Sequence, residues 1–410
     1  MIRRPVRKGW LLDKQKKKIM MTILIIAFIQ MPIFALQPGI NRMRTTAFPE
    51  ASLGMVQTAL AFTSLMQPLV ALGTAFLVNR RIVTKKIVIM VGLCLLAIDG
   101  LLALNFNSEL WHLFMLSVVL GMSVGCIHPN MFGLIFDNFE PHERQMITGY
   151  QSSIINMGGI VLGLVGGVLA TYVWYGGYLV LFVGIPAAML VFFAVPNYWA
   201  PVADRSVKKT SSRIKPKVYY YCVIGFLYMM VYMVCGANLS THIEHIGDSA
   251  TAGIGIAFLM GGGVVSGLVF AKISKKLGDY AIALALGFVF TGYLMLNLFQ
   301  DTLPLVFAAV FLVGLSLSIV MPRCIFMVST LATDKSNSQT ATALVTTVLP
   351  AMGSFLSPVI FTNVTTALYG ESTAARYLFV GVVVFVFGTV VALVTFATGR
   401  KRGGQAPQAG

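Results

Sequence analysis

Gly314-Leu-Ser-Leu-Ser-Ile-Val-Met-Pro-Arg323 and Gly121-Met-Ser-Val-Gly-Cys-Ile-His-Pro-Asn130 are two copies of one pattern, G-x-S-x5-P, set 193 positions apart. Each lies inside a long apolar run. The later run, Pro304 to Leu331, is long enough to cross a bilayer with some tilt. A chain that repeats a membrane span at about half its length is built from two similar halves. The copies differ at one chemically important place, Asn130 against Arg323, the latter read as the only basic residue within an apolar run.

Composition agrees with a membrane protein. Of 410 residues, 57% are hydrophobic and 11% charged, with mean hydropathy +0.83. A soluble chain carries about 25% charged residues. The formal charge of +16 comes in short basic clusters between apolar runs, not on one face, which argues against nucleic acid as a partner. All five cysteines fall within apolar runs without metal-ligand spacing, so neither a disulfide framework nor a metal site is expected. No Walker loop, HExxH or nucleophile–base pair appears, so neither an enzyme nor an ATP-driven pump is expected, and no cofactor.

Twelve apolar spans are expected, near 19–38, 54–78, 87–104, 110–135, 147–170, 178–195, 218–238, 253–271, 280–298, 304–331, 341–365 and 377–397. Their length indicates helices, and the alternation of a membrane barrel is absent. The first run is too long for a signal peptide and reads as a retained helix. Loops on the side of the termini hold 26 Lys and Arg against 3 (Arg42, Arg44, Arg376) in the alternate loops. By the positive-inside rule both termini are cytoplasmic and the protein sits in the cytoplasmic membrane. The expected organisation is a six-helix half at 1–195, a basic linker at 196–217, a second six-helix half at 218–400 and a short tail at 401–410. Further echoes support the duplication. Gly73–Phe76 aligns with Gly267–Phe270 at offset 194, and Met157-Gly158 with Met352-Gly353 at 195. Two like-oriented halves form a parallel repeat about an axis along the membrane normal.

Twelve spans arranged six and six, a basic central loop and short basic loops after spans two and eight resemble the major facilitator superfamily. That family commonly shows G-x-x-x-D-[RK]-x-G-[RK]-[RK] in the loop between spans two and three. Here the run Leu77 to Lys86 keeps Arg80, Arg81, Lys85 and Lys86 but lacks the acid and the second glycine. Its second copy, Gly267 to Gly278, keeps Lys272, Lys275 and Lys276 and also lacks the acid. The resemblance implies an all-α membrane fold of two pseudo-symmetric six-helix bundles. Spans 1, 4, 7 and 10 would line a cavity, spans 2, 5, 8 and 11 would join the halves, and the rest would face lipid. Gly159, Gly163 and Gly167 in span 5 and Gly263 and Gly267 in span 8 fit close helix contact. Span 5 is also a partial match to the G-x-x-x-G-P-x-x-G-G run of drug antiporters, without the proline.

On the expected cavity spans, polar side chains recur at seven-residue spacing: Gln30 and Gln37, Ser123 and Asn130, Ser316 and Arg323, with Tyr228 and Tyr232 on span 7. An Arg at membrane depth is costly and normally faces a cavity or a partner. No acid lies on spans 1, 4, 7 or 10, so Arg323 is expected to bind a carboxylate or phosphate of a small organic anion. Asn130, Gln30, Tyr228, Tyr232, Ser123 and Ser316 would complete that site. His128 and Asp99 are candidates for proton coupling, and Arg80, Arg81, Lys275 and Lys276 for gating. The expected function is a monomeric secondary transporter (a symporter) of a small or amphipathic anion, with a proton-coupled multidrug efflux antiporter as the alternative. Its partners would be that small molecule, protons and the lipid bilayer.

Overall fold

The computed structural model describes residues 14–199, 216–331 and 344–403. Residues 200–215 of the expected linker and 404–410 of the expected tail lie outside the described residues. Twelve helices among those described are long and apolar enough to cross a membrane. They are α1 (Gln15–Ala47), α2 (Leu53–Asn79), α3 (Lys85–Asn105), α4 (Leu110–Asn138), α5 (Ser153–Tyr172) and α6 (Gly176–Ala194). The second half holds α7 (Pro216–Ile243), α8 (Ser249–Phe270), α9 (Tyr280–Leu298), α10 (Leu303–Val328), α11 (Leu344–Tyr369) and α12 (Thr373–Ala397). Helices are the form such segments take because every backbone N–H and C=O then finds a partner within its own segment. Outside the apolar stretch, α5 begins earlier at Pro141, α8 runs on to Leu277 and α10 to Leu331.

Several starts are fixed by side-chain caps. Ser52 accepts from the Met55 N–H, Thr84 from that of Ile87 and Asp248 from that of Thr251. The Thr251 backbone N–H holds the Asp248 carboxyl below its usual range. The first helix is broken. It stops at Phe28, resumes at Ile33 after Pro32, tightens to a 3-10 turn at Gln37–Gly39 and widens to a π-turn at Met43–Ala47. Proline removes an N–H and clashes one turn back, which accounts for the break. Helix α5 closes against it: a Cβ on Gly158 would collide with the Phe28 carbonyl, and one on Gly166 with that of Ala35.

Each half has its own apolar core, one drawn from α1–α6 and the other almost wholly from α7–α12. The expected contact helices do join the halves. On α5, Gly163 faces Ile256 and Gly167 faces Gly253 of α8, where added Cβ atoms would come within 2.7 and 2.9 Å. Helix α2 meets α11 through Phe62 and Phe355, with ring centroids 5.4 Å apart.

The even count puts the first and last helix ends on one side, here the terminal end; the other is the far end. The described contacts between the halves lie at the far end and along the middle of the helices. Beyond Phe62, α2 leaves Leu69, Leu72 and Phe76 exposed, and nothing lies within 4 Å of a Cβ built on Gly73. The π-helical start of α11, Leu344–Val348, packs on α7 and α10 rather than on α2.

Two expectations about basic residues are corrected. Arg42 and Arg44 belong to the last turns of α1 rather than to a loop. Arg376 lies in the first turn of α12 and is wholly buried, so Arg323 is not the only basic residue inside a span. Sequence windows put Arg376 outside because polar Glu371, Ser372 and Thr373 precede it; neighbouring hydroxyls and an amide satisfy it within the fold.

The glycine contacts give a paired expectation. Gly158→Ala should force α1 and α5 apart at a cost of about 2 kcal/mol, lowering the thermal midpoint of the detergent-purified protein by several degrees. Gly73→Ala, which meets open space, should leave that midpoint level or slightly higher.

Candidate functional site

Between the halves lies a cavity walled by α1 (Ile33, Gln37, Ile40), α2 (Gln57, Leu60, Ala61, Ser64), α7 (Met233, Ala237) and α11 (Ser354, Pro358). Its volume, about 40 Å³, is that of a closed-down site rather than one holding an organic molecule. The walls are apolar apart from two amides and two hydroxyls, and none of the described lining side chains carries a charge. Gln37 is buried, and its Oε1 has no hydrogen-bond partner. Gln57 is fully engaged: its Nε2 donates to the Ala237 carbonyl (2.8 Å) and to Asn238 Oδ1 (3.0 Å), while its Oε1 accepts from Thr362 (2.6 Å). The amide Gln57 did not stand out in the sequence, because α2 was expected to be a contact helix. The available signal was an amide inside a span near Ser64.

The polar side chains expected on α4 and α10 turn elsewhere. Ser123 donates to the Gly92 carbonyl of α3 at 2.8 Å. Asn130 donates to its own helix at Cys126 and, at 3.5 Å, to Thr74 of α2. Tyr228 and Ser316 are brought together, hydroxyl to hydroxyl at 2.8 Å, but inside the second half. Tyr232 stacks at a tilt on Tyr228, its own hydroxyl buried without a partner. Gln30 sits at the break in α1, where its Oε1 accepts from Gln151 at 3.4 Å and its Nε2 is unpartnered. Four helices do wall the cavity, but α2 and α11 take the places expected of α4 and α10.

The expectation that Arg323 lacks an internal acid is corrected. Its Nε and Nη2 both donate to Asp279 Oδ1, at 3.0 and 2.9 Å, and its Nη1 to Ser274 at 3.0 Å. The other oxygen of Asp279 accepts from Tyr221 at 2.7 Å. Asp279 escaped notice because it lies between spans, just ahead of α9, and reaches α10 only through the fold. The first half has a counterpart with the charges exchanged. Lys85, 194 positions before Asp279, begins α3 and pairs with Asp137 of α4 at 2.7 Å. Beside it, burial pushes the Tyr198 phenol up to about 12, with Asn138 and Asp137 as its hydrogen-bond partners.

The coupling and gating candidates are scattered. Asp99 is wholly buried on α3 and neither carboxyl oxygen has a partner. Tyr178 of α6, also with an unpartnered hydroxyl, lies within electrostatic reach of it. Asp99 thus sits inside the first half rather than facing lipid. His128 is half-buried, edge-on to Phe132 at 5.3 Å. Arg80 lies over the Phe76 ring at 4.4 Å, Arg81 adopts a left-handed backbone with φ 58°, and Lys275 and Lys276 are exposed at the terminal end.

A family model described as Major Facilitator Superfamily matches residues 19–358. The quinolone resistance protein NorA of Staphylococcus aureus is 36% identical over 87 residues, which is 21% of this chain and 22% of that protein. The chain therefore matches under a quarter of that relative's length. Among solved structures, a mutant of the nucleoside transporter NupG aligns with TM-score 0.69 and 13% identity, over 92% of this chain and 99% of that one. The human organic anion transporter MFSD10 (TETRAN) aligns with TM-score 0.65 and 13% identity, over 92% of this chain and 100% of that one. At such identity the likeness is one of fold.

The ion pair at Asp279 can be probed by comparing a single with a paired substitution. Asp279→Asn should strand the guanidinium and cost about 3 kcal/mol in thermal or denaturant unfolding. The paired Asp279→Leu with Arg323→Met should recover most of that loss.

Proposed function

The chain belongs to the Major Facilitator Superfamily, and we propose that it is a secondary transporter of an apolar or amphipathic organic compound. The observation that carries the substrate class is the cavity wall: aliphatic side chains, Met233, two amides and two hydroxyls, with no charge. Such a wall suits a ligand held mostly by shape and burial, oriented by a few hydrogen bonds. An anion would need a cation to face it. The guanidinium on which that reading rested, Arg323, is engaged by Asp279 and Ser274, so the efflux reading is favoured over the anion reading. The partial likeness to a quinolone resistance protein points the same way.

Transport would proceed by alternating access, with 1–195 and 218–400 as the two moving bodies. In this reading the terminal end lies in the cytoplasm, which the charge bias of the loops supports, and the joined far end faces outward across a cell membrane. Gln37, with its unpartnered acceptor, is the side chain we assign to the substrate. Asp99 is our choice for the coupling proton and His128 the second: Asp99 is a wholly buried carboxyl whose two oxygens have no partner. The protein would act as a monomer.

Reconstitution in proteoliposomes under an imposed pH gradient tests this reading. A lipophilic fluorescent compound should be transported, and the paired Arg323→Met with Asp279→Leu should leave its rate within about twofold, well under the 1.4 kcal/mol that marks a tenfold change. Gln37→Leu should slow it about tenfold. Asp99→Asn should abolish gradient-driven movement while sparing exchange between equal pH values. Transport of organic anions alone, lost in the Arg323 pair, would return the assignment to the anion class.

A further inference from the structure

The far end is held shut by a buried chain of hydrogen bonds that crosses from one half to the other. We propose that Gln57, Asn238 and Arg376 form a latch that ties the cavity to far-end closure, with Arg376 as its positioning residue. This rests on the proposed rocking of the two halves and not on the substrate class.

Arg376 has no exposed surface. Its Nε donates to Thr365 at 2.9 Å, its Nη2 to Thr366 at 3.0 Å and its Nη1 to Asn238 Oδ1 at 2.7 Å. Glu371, the acid within electrostatic reach, is itself ion-paired with Arg44. The guanidinium is thus spent on neutral acceptors, and the most consequential of these is Asn238. That amide cannot turn over, because its Nδ2 donates to the Val234 carbonyl at 2.8 Å. Its Oδ1 is therefore fixed as an acceptor between Arg376 on one side and Gln57 on the other.

Arg376, Asn238, Thr362, Thr365 and Thr366 all belong to the second half; Gln57 is the member from the first. Three hydrogen bonds join it across the interface, to Ala237, Asn238 and Thr362. Two flanking contacts accompany it, the Asn41 N–H to Ser240 at 3.2 Å and the ion pair of Arg44 with Glu371. Rocking of the halves as bodies would break the Gln57 bonds and these two flanking contacts together and leave the bonds within the second half intact. Gln57 also walls the cavity. One amide therefore answers both to whatever occupies the cavity and to the closure of the far end. A buried Arg that only tied α12 to its neighbours would not require an acceptor shared with the opposite half.

The test uses the full chain in lipid nanodiscs, without substrate, with its five cysteines replaced. Spin labels go on Glu50→Cys and Glu244→Cys, one exposed far-end position in each half. Distances are read by double electron–electron resonance. Gln57→Leu and Asn238→Ala should each raise the ratio of long to short distances about tenfold, which is ~1.4 kcal/mol. Asn238→Asp keeps an acceptor for both Arg376 and Gln57 at the loss of the donor to Val234, and should hold the short distance better than Asn238→Ala. Gln57→Leu removes the cross-half bonds without leaving a buried charge, so it stands in should Asn238→Ala fail to fold. A short-distance population unchanged in Gln57→Leu would overturn the latch, as would Asn238→Asp opening like Asn238→Ala.

Discussion

A polar group removed from water is costly unless it finds a partner within the protein, and in a chain that is 57% hydrophobic this constraint shapes where polar side chains settle. Arg323 and Asp279 answer it directly, and Tyr221 takes the remaining oxygen of the carboxylate. Ser123 answers it through the Gly92 carbonyl, and Ser316 through Tyr228 and the Val313 carbonyl. The pattern is therefore informative where it fails. Gln37, Gln30, Asp99 and Tyr232 carry buried atoms without partners, and the first of these faces the cavity.

Close approach is the second organising force. Lipid tails are as apolar as the side chains they meet, so helices associate through packing rather than through release of water. Gly158 and Gly166 let α5 lie against the broken α1, while Gly163 and Gly167 let the same helix lie against α8. One face of α5 thus holds its own half together and another meets the opposite half. A single helix serves both contacts because its glycines fall on both faces.

Much of this was legible in the chain itself. The duplicated G-x-S-x5-P and the twelve spans specified two six-helix halves, since length and hydropathy are local properties. The α5 and α8 glycines announced their contact for the same reason. The site was far less legible. Seven-residue spacing puts Ser316 and Arg323 on one face of α10 without saying what that face meets, and it meets α7 and the start of α9. Asp279 lies outside every span, and Arg376 lies one turn inside a span whose start was misplaced by polar neighbours. Pairings between residues 44 or 138 positions apart leave no trace in a single sequence.

The exchanged pairs, Lys85 with Asp137 and Asp279 with Arg323, would decide how membrane voltage acts on the proposed rocking. A full elementary charge crossing the membrane is worth about 2.3 kcal/mol per 100 mV. A lysine or arginine travelling with its own carboxylate moves as a dipole, over which most of that work cancels. If the halves rock as proposed, the return of the empty protein should therefore be close to electroneutral. The membrane potential would then act chiefly through whatever charge the cargo or a coupled ion brings with it.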